Sequence, residues 1–394
     1  MQYPIIHINH GHEKRFTQGF PWVYSNEIAV NPSLKEFIPG QLVEIQARNL
    51  PVAIGFYNRH SLIAVRALTR IPTETIDAAF LVKRITEALL RRQIFYKEPF
   101  YRLIHAEADG LPGLIIDRFN DVLILQINTA GMEQLLTFIL SALQQTLAPT
   151  TIYIQRDSKN RITEGLSLQE PEVLGQAIDT LKVIENGVTY FIDLANGQKT
   201  GWFYDHRANR ELIASLAANK TVIDYFCYSG GFALQAAHQG AKKVVGVDRA
   251  ESVIRNGQNS ALQNGLQDKC TFVTADVFQD LEERRTKGQR FDIVVLDPPA
   301  FVKAKKDLAV GLKGYEKLMR AAIPLVAEHG LFLIASCSYH VKEADLQQVL
   351  QRALSKTGRT ASIVKRLGAG FDHPLHPHLE ESEYLKGFLL SFSA

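Results

Sequence analysis

The stretch Val222-Ile-Asp-Tyr-Phe-Cys-Tyr-Ser-Gly-Gly-Phe232 opens the part of the chain whose reading decides the fold. An apolar strand runs into a Gly230-Gly231 turn, and a helical stretch follows from Gly231 to Gly240. The same grammar then repeats. Val244-Val-Gly-Val-Asp248 reads as a strand and about 250–264 as a helix. Cys270-Thr-Phe-Val-Thr-Ala-Asp276 and Phe291-Asp-Ile-Val-Val-Leu-Asp297 are two more buried strands, with a charged helix between them. A helix over 315–326, the strand Leu331-Phe-Leu-Ile-Ala-Ser336 and a helix over 342–355 continue the pattern. Such alternation predicts an α/β fold, a doubly wound and mainly parallel sheet with helices on both faces.

Sheets of this kind bind ligands beyond the carboxyl ends of their strands. Four consecutive strands here end in or near a carboxylate: Asp224, Asp248, Asp276 and Asp297. Gly230 and Gly231 let backbone approach a ligand, and Asp248 stands where a carboxylate accepts both ribose hydroxyls. The turn lacks the Gly-x-Gly-x-x-Gly pattern that cradles a pyrophosphate. Carboxylates beside it would repel a diphosphate but suit the cation of S-adenosylmethionine. That favours methyl transfer over a dinucleotide oxidoreductase.

Upstream the grammar differs. Residues 1–72 read as short strands, with Gly40-Gln-Leu-Val-Glu-Ile and Val52-Ala-Ile-Gly-Phe-Tyr paired around Arg48-Asn-Leu-Pro51. Residues 1–70 hold seven basic and four acidic side chains, which suits a small β-barrel with a mildly basic surface. Residues 73–185 read as an α+β middle domain, with helices over about 77–96 and 131–147. Asn186-Gly187 marks a tight hairpin turn between Lys182 and Asp193. The third domain is placed at 186–394.

The chain's 394 residues carry 44 Lys+Arg against 41 Asp+Glu, so no extreme charge points to a nucleic-acid coat. Its three cysteines, Cys227, Cys270 and Cys337, imply no disulfide framework. The polar start MQYPIIHINHGHEKR does not read as a signal peptide, and no apolar run is long enough to span a membrane. A cytoplasmic location and no membrane partner are expected. The groups His7/His10/His12 and His373/His376/His378 lack acidic or cysteine partners, so no metal is expected. Monomer and homodimer both stay open.

Asp224 to Phe232, Val247-Asp248, Asp276, Leu296-Asp-Pro-Pro299 and Ala335-Ser-Cys-Ser338 resemble the ordered motifs of class I S-adenosylmethionine-dependent methyltransferases. Asn196-Gly-Gln-Lys-Thr-Gly-Trp-Phe-Tyr-Asp-His-Arg-Ala-Asn-Arg210 resembles, more narrowly, the segment before the catalytic core of bacterial large-subunit (23S) ribosomal RNA 5-methylcytosine methyltransferases. Glu107 to Arg118 is similar to their middle domain, and residues 1–72 fit their PUA RNA-binding barrel. Trp202, Tyr204, His206 and Ala208 depart from the family pattern.

The resemblance implies a Rossmann-like catalytic domain that takes S-adenosylmethionine as cofactor and ribosomal RNA as partner. It places cofactor contacts at Asp224, Tyr228, Gly230, Gly231, Phe232, Asp248, Asp276 and Asp297, and in the preceding segment at Lys199, Thr200, Asp205 and Arg207. It also makes Cys337 the nucleophile; in that reading Asp297 is the base or the group that orients the cytosine, with Lys303 the second candidate for the base. Carbon 5 of cytosine is a poor nucleophile until a thiolate adds to carbon 6, so this chemistry needs an accessible cysteine. Cys227 and Cys270 read as packing residues. Lys303, Lys305, Lys306 and Lys313 follow the Asp297 loop and are candidates for RNA phosphate contact. Two rivals stay open: methylation of an exocyclic amine or another RNA position, and a non-catalytic RNA-binding assembly factor. Ala300 between Pro299 and Phe301 speaks against the amine, because amine methyltransferases put an aromatic directly after the second proline.

Overall fold

The computed structural model describes residues 3–194 and 201–393. The chain divides into two compact units, one of residues 1–177 with 371–382 and one of 178–370 with 383–394.

The first unit holds two five-stranded sheets. One orders Ile5–His7, Gln41–Ala47, Leu50–Tyr57, Val65–Thr69 and Trp22–Val23 side by side. Its central hairpin turns at Arg48 (φ 52°) and Asn49 (φ 63°), a two-residue turn with both residues left-handed. The other orders Gln169–Gly175, Thr151–Arg156, Val122–Ile127, Leu114–Phe119 and Phe100–His105. The helices Ala78–Phe95 and Leu136–Leu147 share its apolar core. Asp77 caps the first of these by accepting a hydrogen bond from Phe80 N at 3.0 Å.

The barrel and the middle domain are one body. Ile54, Phe56 and Leu68 of the first sheet lie in the core of the second, and Arg66 pairs with Glu107 at 2.7 Å. Deleting residues 1–70 would therefore strip side chains from a shared core. The segment 371–382 also belongs here, although sequence placed it in the catalytic domain. Its Asp372 side chain accepts from Arg102 N at 2.9 Å, its carbonyl accepts from the buried Arg92, and Phe371 stacks on Phe95. Leu379 packs with Phe20 and Trp22.

The second unit begins with the hairpin Thr180–Glu185 and Val188–Asp193, turning at Asn186-Gly187 as expected. The expected boundary at 185/186 cuts this hairpin, whose two strands are paired along their full length. Its seven-stranded sheet consists of β1 (Thr221–Tyr225), β2 (Lys243–Asp248), β3 (Cys270–Thr274), β4 (Phe291–Leu296), β5 (Val326–Ser336), β6 (Ala361–Leu367) and β7 (Lys386–Phe392). The spatial order is β3-β2-β1-β4-β5-β7-β6. Strands β1 to β5 are parallel, and β7 runs antiparallel to both β5 and β6. This is the Rossmann-like sheet expected, closed at one edge by two strands that sequence did not show. The order reverses between β1 and β4, so the crevice beyond their carboxyl ends is the ligand position.

Two boundaries moved for local reasons. The helix expected at 315–326 spans Leu308–Ala322, because Gly311 and Gly314 hide its first half and Pro324 ends it. Gly311 is required there: a Cβ would lie 2.2 Å from Val302. Strand β5 starts at Val326 rather than Leu331, since His329 (φ 56°) and Gly330 put a turn-like pair inside a strand.

Candidate active site

The loop from β1 to the helix Gly231–His238 is bent by three left-handed residues, Phe226 (φ 62°), Tyr228 (φ 51°) and Gly230 (φ 82°). Left-handed backbone at two bulky residues is costly and marks a loop held for function. Gly230 cannot be replaced, because a Cβ would meet the Phe272 ring at 2.7 Å. Asp248 at the end of β2 braces the bend. Its two oxygens accept from Tyr228 N and Ala250 N, each at 3.1 Å, which aims the remaining lone pairs outward.

Asp224 is buried inside β1, with one oxygen accepting from Ala233 N at 3.1 Å. Its other oxygen, and the Ser229 hydroxyl, are buried with no hydrogen-bond partner among the described residues. Burial pushes the Asp224 carboxyl well up, and the charges of Asp297 and Asp248 push it further. Unsatisfied acceptors among three mutually repelling carboxylates are a site built for a cation with N–H donors. S-adenosylmethionine, with an ammonium and a sulfonium, fits that donor set.

Asp297 follows β4 directly. One of its oxygens lies 3.1 Å from Nε2 of the buried His206, whose ring also packs edge-on to Phe232. Asn209 Nδ2 faces the other ring nitrogen at 3.1 Å and donates to Gly368 O, which fixes its amide orientation. His206 Nε2–H therefore donates to Asp297. Burial pushes this imidazole down, but the Asp297 charge and hydrogen bond outweigh it and hold it above its ordinary value.

Leu296 pairs with Ile334, so Asp297 and Cys337 stand beyond the ends of neighbouring strands. Cys337 is half-buried, and buried hydroxyls fix its flanks. Ser336 Oγ donates to Tyr315 Oη at 2.9 Å, and Tyr315 Oη meets Ser338 Oγ at 2.9 Å. Lys386 Nζ donates to the carbonyls of Ser338 and Val341. By contrast, Cys227 and Cys270 are buried. Burial and the Asp224 charge push the Cys227 thiol well up, and burial pushes Cys270 up to about 12.

The other candidates make contacts of their own. Asp276 is exposed and caps the helix Val277–Thr286 through Gln279 N at 3.1 Å. Asp205 accepts from Tyr384 Oη at 2.5 Å. Arg207 Nε lies 3.3 Å from the buried Glu185, which also binds Arg210, Trp202 and Gln235. These contacts make Arg207 part of a buried ionic node. Lys199 and Thr200 lie outside the described residues. Lys303, Lys305, Lys306 and Lys313 are exposed around the start of the helix Leu308–Ala322. Tyr315, Lys386 and Glu185 were not singled out from sequence, and His206 was noted only as a departure from the family pattern. Only Lys386 left a signal there, a lone cation in the apolar run Leu385-Lys-Gly-Phe-Leu-Leu390.

If Asp224 faces the cofactor's cation, binding should expel a proton from the carboxylate cluster. Its raised value must fall on binding, so affinity should rise with pH on the acid side of the titration of an α-amino group at about 7.7–8.0. Arg210, His206, Asp205, Asp248 and Asp297 are other charged groups acting on this cluster. Calorimetry across that range should show the trend in the wild type and its loss in Asp224→Asn. An affinity flat with pH in the wild type would exclude Asp224 from the cation site.

A sequence-family profile described as S-adenosylmethionine-dependent methyltransferase matches residues 124–389, and one described as a PUA-like domain matches residues 6–70. Among described residues, no helix is long and apolar enough to cross a membrane. The chain is 36% identical over 395 residues to the ribosomal RNA large subunit methyltransferase I of Aeromonas hydrophila, covering 98% of both chains. It is 35% identical over 386 residues to the protein of that name from Escherichia coli K12, covering 96% of both. In fold it is similar to an S-adenosylmethionine-dependent methyltransferase from Streptococcus mutans, with a TM-score of 0.81 at 21% identity, covering 98% of this chain and 100% of that one. A methyltransferase solved as a complex with SAH gives 0.82 at 22% identity, with 99% and 100% covered. The carboxylate-lined crevice, the bent glycine turn and the full-length matches agree, and the chain belongs to the S-adenosylmethionine-dependent methyltransferase family, with a PUA-like domain at its N-terminal end.

Proposed function

We propose that this protein methylates carbon 5 of a cytosine in large-subunit ribosomal RNA, with Cys337 as nucleophile. The observation that carries the reading is the contrast among the cysteines. Two are buried as neutral thiols, while Cys337 is half-buried and follows the strand next to the one that Asp297 follows, at the ligand edge of the sheet. Full-length similarity to proteins called ribosomal RNA large subunit methyltransferase I supports the RNA class and a cytoplasmic site of action.

S-adenosylmethionine supplies the methyl group. Asp224 and Ser229 would hold its ammonium, Asp248 its ribose, and the Gly230-Gly231 turn would lie under its methionine portion. The Cys337 thiolate adds to carbon 6 of cytosine, and the displaced electron pair makes carbon 5 nucleophilic. Carbon 5 takes the methyl, a base removes its proton, and the sulfur–carbon 6 bond breaks to restore the ring. Asp297, held by His206 through one oxygen, offers the other to the cytosine amine or ring nitrogen, or to the proton at carbon 5. A stacked cytosine hides both faces, so the target must leave its stack.

Mapping 5-methylcytosine in ribosomal RNA from cells with and without the gene tests the reading. One large-subunit position should lose its methyl. An unchanged map, or loss of a methyl on nitrogen, would contradict it.

The exposed lysines should hold RNA backbone. Replacing Lys303, Lys305, Lys306 and Lys313 together with glutamine should weaken RNA binding at low salt. The slope of log affinity against log salt should shrink by about 3, at roughly 0.7–0.9 per phosphate contact. An unchanged slope would remove these lysines from the RNA path.

A further inference from the structure

The scheme leaves unused a buried lysine beside the Cys337 turn. Lys386 opens β7 directly opposite Ser336 of β5, one residue from Cys337, and is only 5% exposed. Its ammonium donates to Ser338 O at 2.9 Å and Val341 O at 2.6 Å, the two ends of the turn that follows Cys337. Two carbonyls can tether a turn to any donor. Burying a full charge for that purpose is expensive, and each anion close by offsets part of the cost.

A cysteine nucleophile is such an anion, because the thiolate and not the thiol attacks carbon 6. We propose that Lys386 is a positioning residue for Cys337: it clamps the 338–341 turn, holds the sulfur at the end of β5, and favours its thiolate. The thiol proton leaves to solvent, and a thiolate beside the ammonium remains. This inference rests on Cys337 being the nucleophile. Burial pulls Lys386 below the ordinary lysine value, while Cys337, Glu383 and Asp345 pull it back up. Asp297 follows the neighbouring strand, and Tyr315, bonded to the hydroxyls on both sides of Cys337, is pushed up by burial.

The test is the rate of Cys337 alkylation by iodoacetamide against pH, in the full-length protein, with the modified peptide identified by mass spectrometry. In the wild type the profile should have its midpoint below the ordinary thiol value of about 8.5. Lys386→Met should move it up by about one pH unit and cut the rate at pH 7 about tenfold, as the thiolate fraction falls. The kcat for methyl transfer should fall in parallel, with KM for S-adenosylmethionine unchanged. Lys386→Arg should restore most of the profile, since it returns the charge.

A wild-type midpoint at or above 8.5 would overturn the proposal without any variant, so it stays testable even if Lys386→Met does not fold. Superimposable profiles in wild type and Lys386→Met would also overturn it, leaving a tether only. Alkylation does not require methyl transfer. Failure of Cys337 as nucleophile would instead appear as activity surviving in Cys337→Ala, whatever the profile shows.

Discussion

Replacing Cys337 with alanine is expected to drop methyl transfer below about one-thousandth of wild type, the scale on which removing a nucleophile acts. Affinity for S-adenosylmethionine and for RNA should be unchanged, because the thiolate works in the reaction and adds little to binding. The Ser336–Tyr315–Ser338 hydroxyl chain does not involve the sulfur and should keep the strand end in place. Cys227→Ala and Cys270→Ala should retain turnover, at the stability cost of trimming a buried side chain. Single-turnover assays with saturating cofactor give the comparison. Turnover in Cys337→Ala within tenfold of wild type would remove covalent catalysis through this residue.

The second large effect concerns folding. Glu185 closes the first strand of the hairpin Thr180–Asp193 and is fully enclosed. Arg210 grips it through two hydrogen bonds of 2.6 and 2.7 Å, joined by Gln235, Trp202 and Arg207. Burial works against this carboxylate, yet the Arg210 and Arg207 charges more than offset it and hold it below the ordinary glutamate value. Glu185→Gln leaves two buried arginines without their counter-charge and should destabilise the catalytic unit by about 3–5 kcal/mol. For a body of this size that lowers the melting temperature by roughly 10 °C. The depressed value also sets the pH response. The stabilisation is complete above the unfolded glutamate value and is lost as pH falls through the lower folded one. Calorimetry of the two proteins at neutral and acid pH checks both statements. Equal melting temperatures at pH 7 would show that the node contributes nothing net.

Much of this was legible in sequence where the signal is local. Strands β1 to β4 are short apolar runs that end in or near a carboxylate, and that pattern alone locates Asp224, Asp248, Asp276 and Asp297 at one sheet edge. The Asn186-Gly187 hairpin is equally local. What stayed hidden depends on contacts far apart in the chain. Ala361–Leu367 is an edge strand exposed along most of its length, so no alternation betrays it. Lys386–Phe392 is nearly all apolar and could be a strand or a buried helix turn by pattern. The hold of His206 on Asp297 spans 91 residues (297 − 206), and that of Lys386 on the Cys337 turn spans 45 to 48. No spacing rule reaches so far. Residues 371–382 look like a loop of the catalytic domain until Asp372 is seen bonded to Arg102.

The central claim is that Cys337 joins carbon 6 of a cytosine during methyl transfer. RNA carrying 5-fluorocytosine at the target tests it most directly, since fluorine cannot leave as a proton and the adduct cannot resolve. Wild-type protein with S-adenosylmethionine should form a stable protein–RNA adduct, and digestion should find the nucleotide on the peptide that holds Cys337. Cys337→Ala should form none, and Cys227→Ala should form it normally. An adduct that persists in Cys337→Ala, or a nucleotide found on any other residue, would contradict the account.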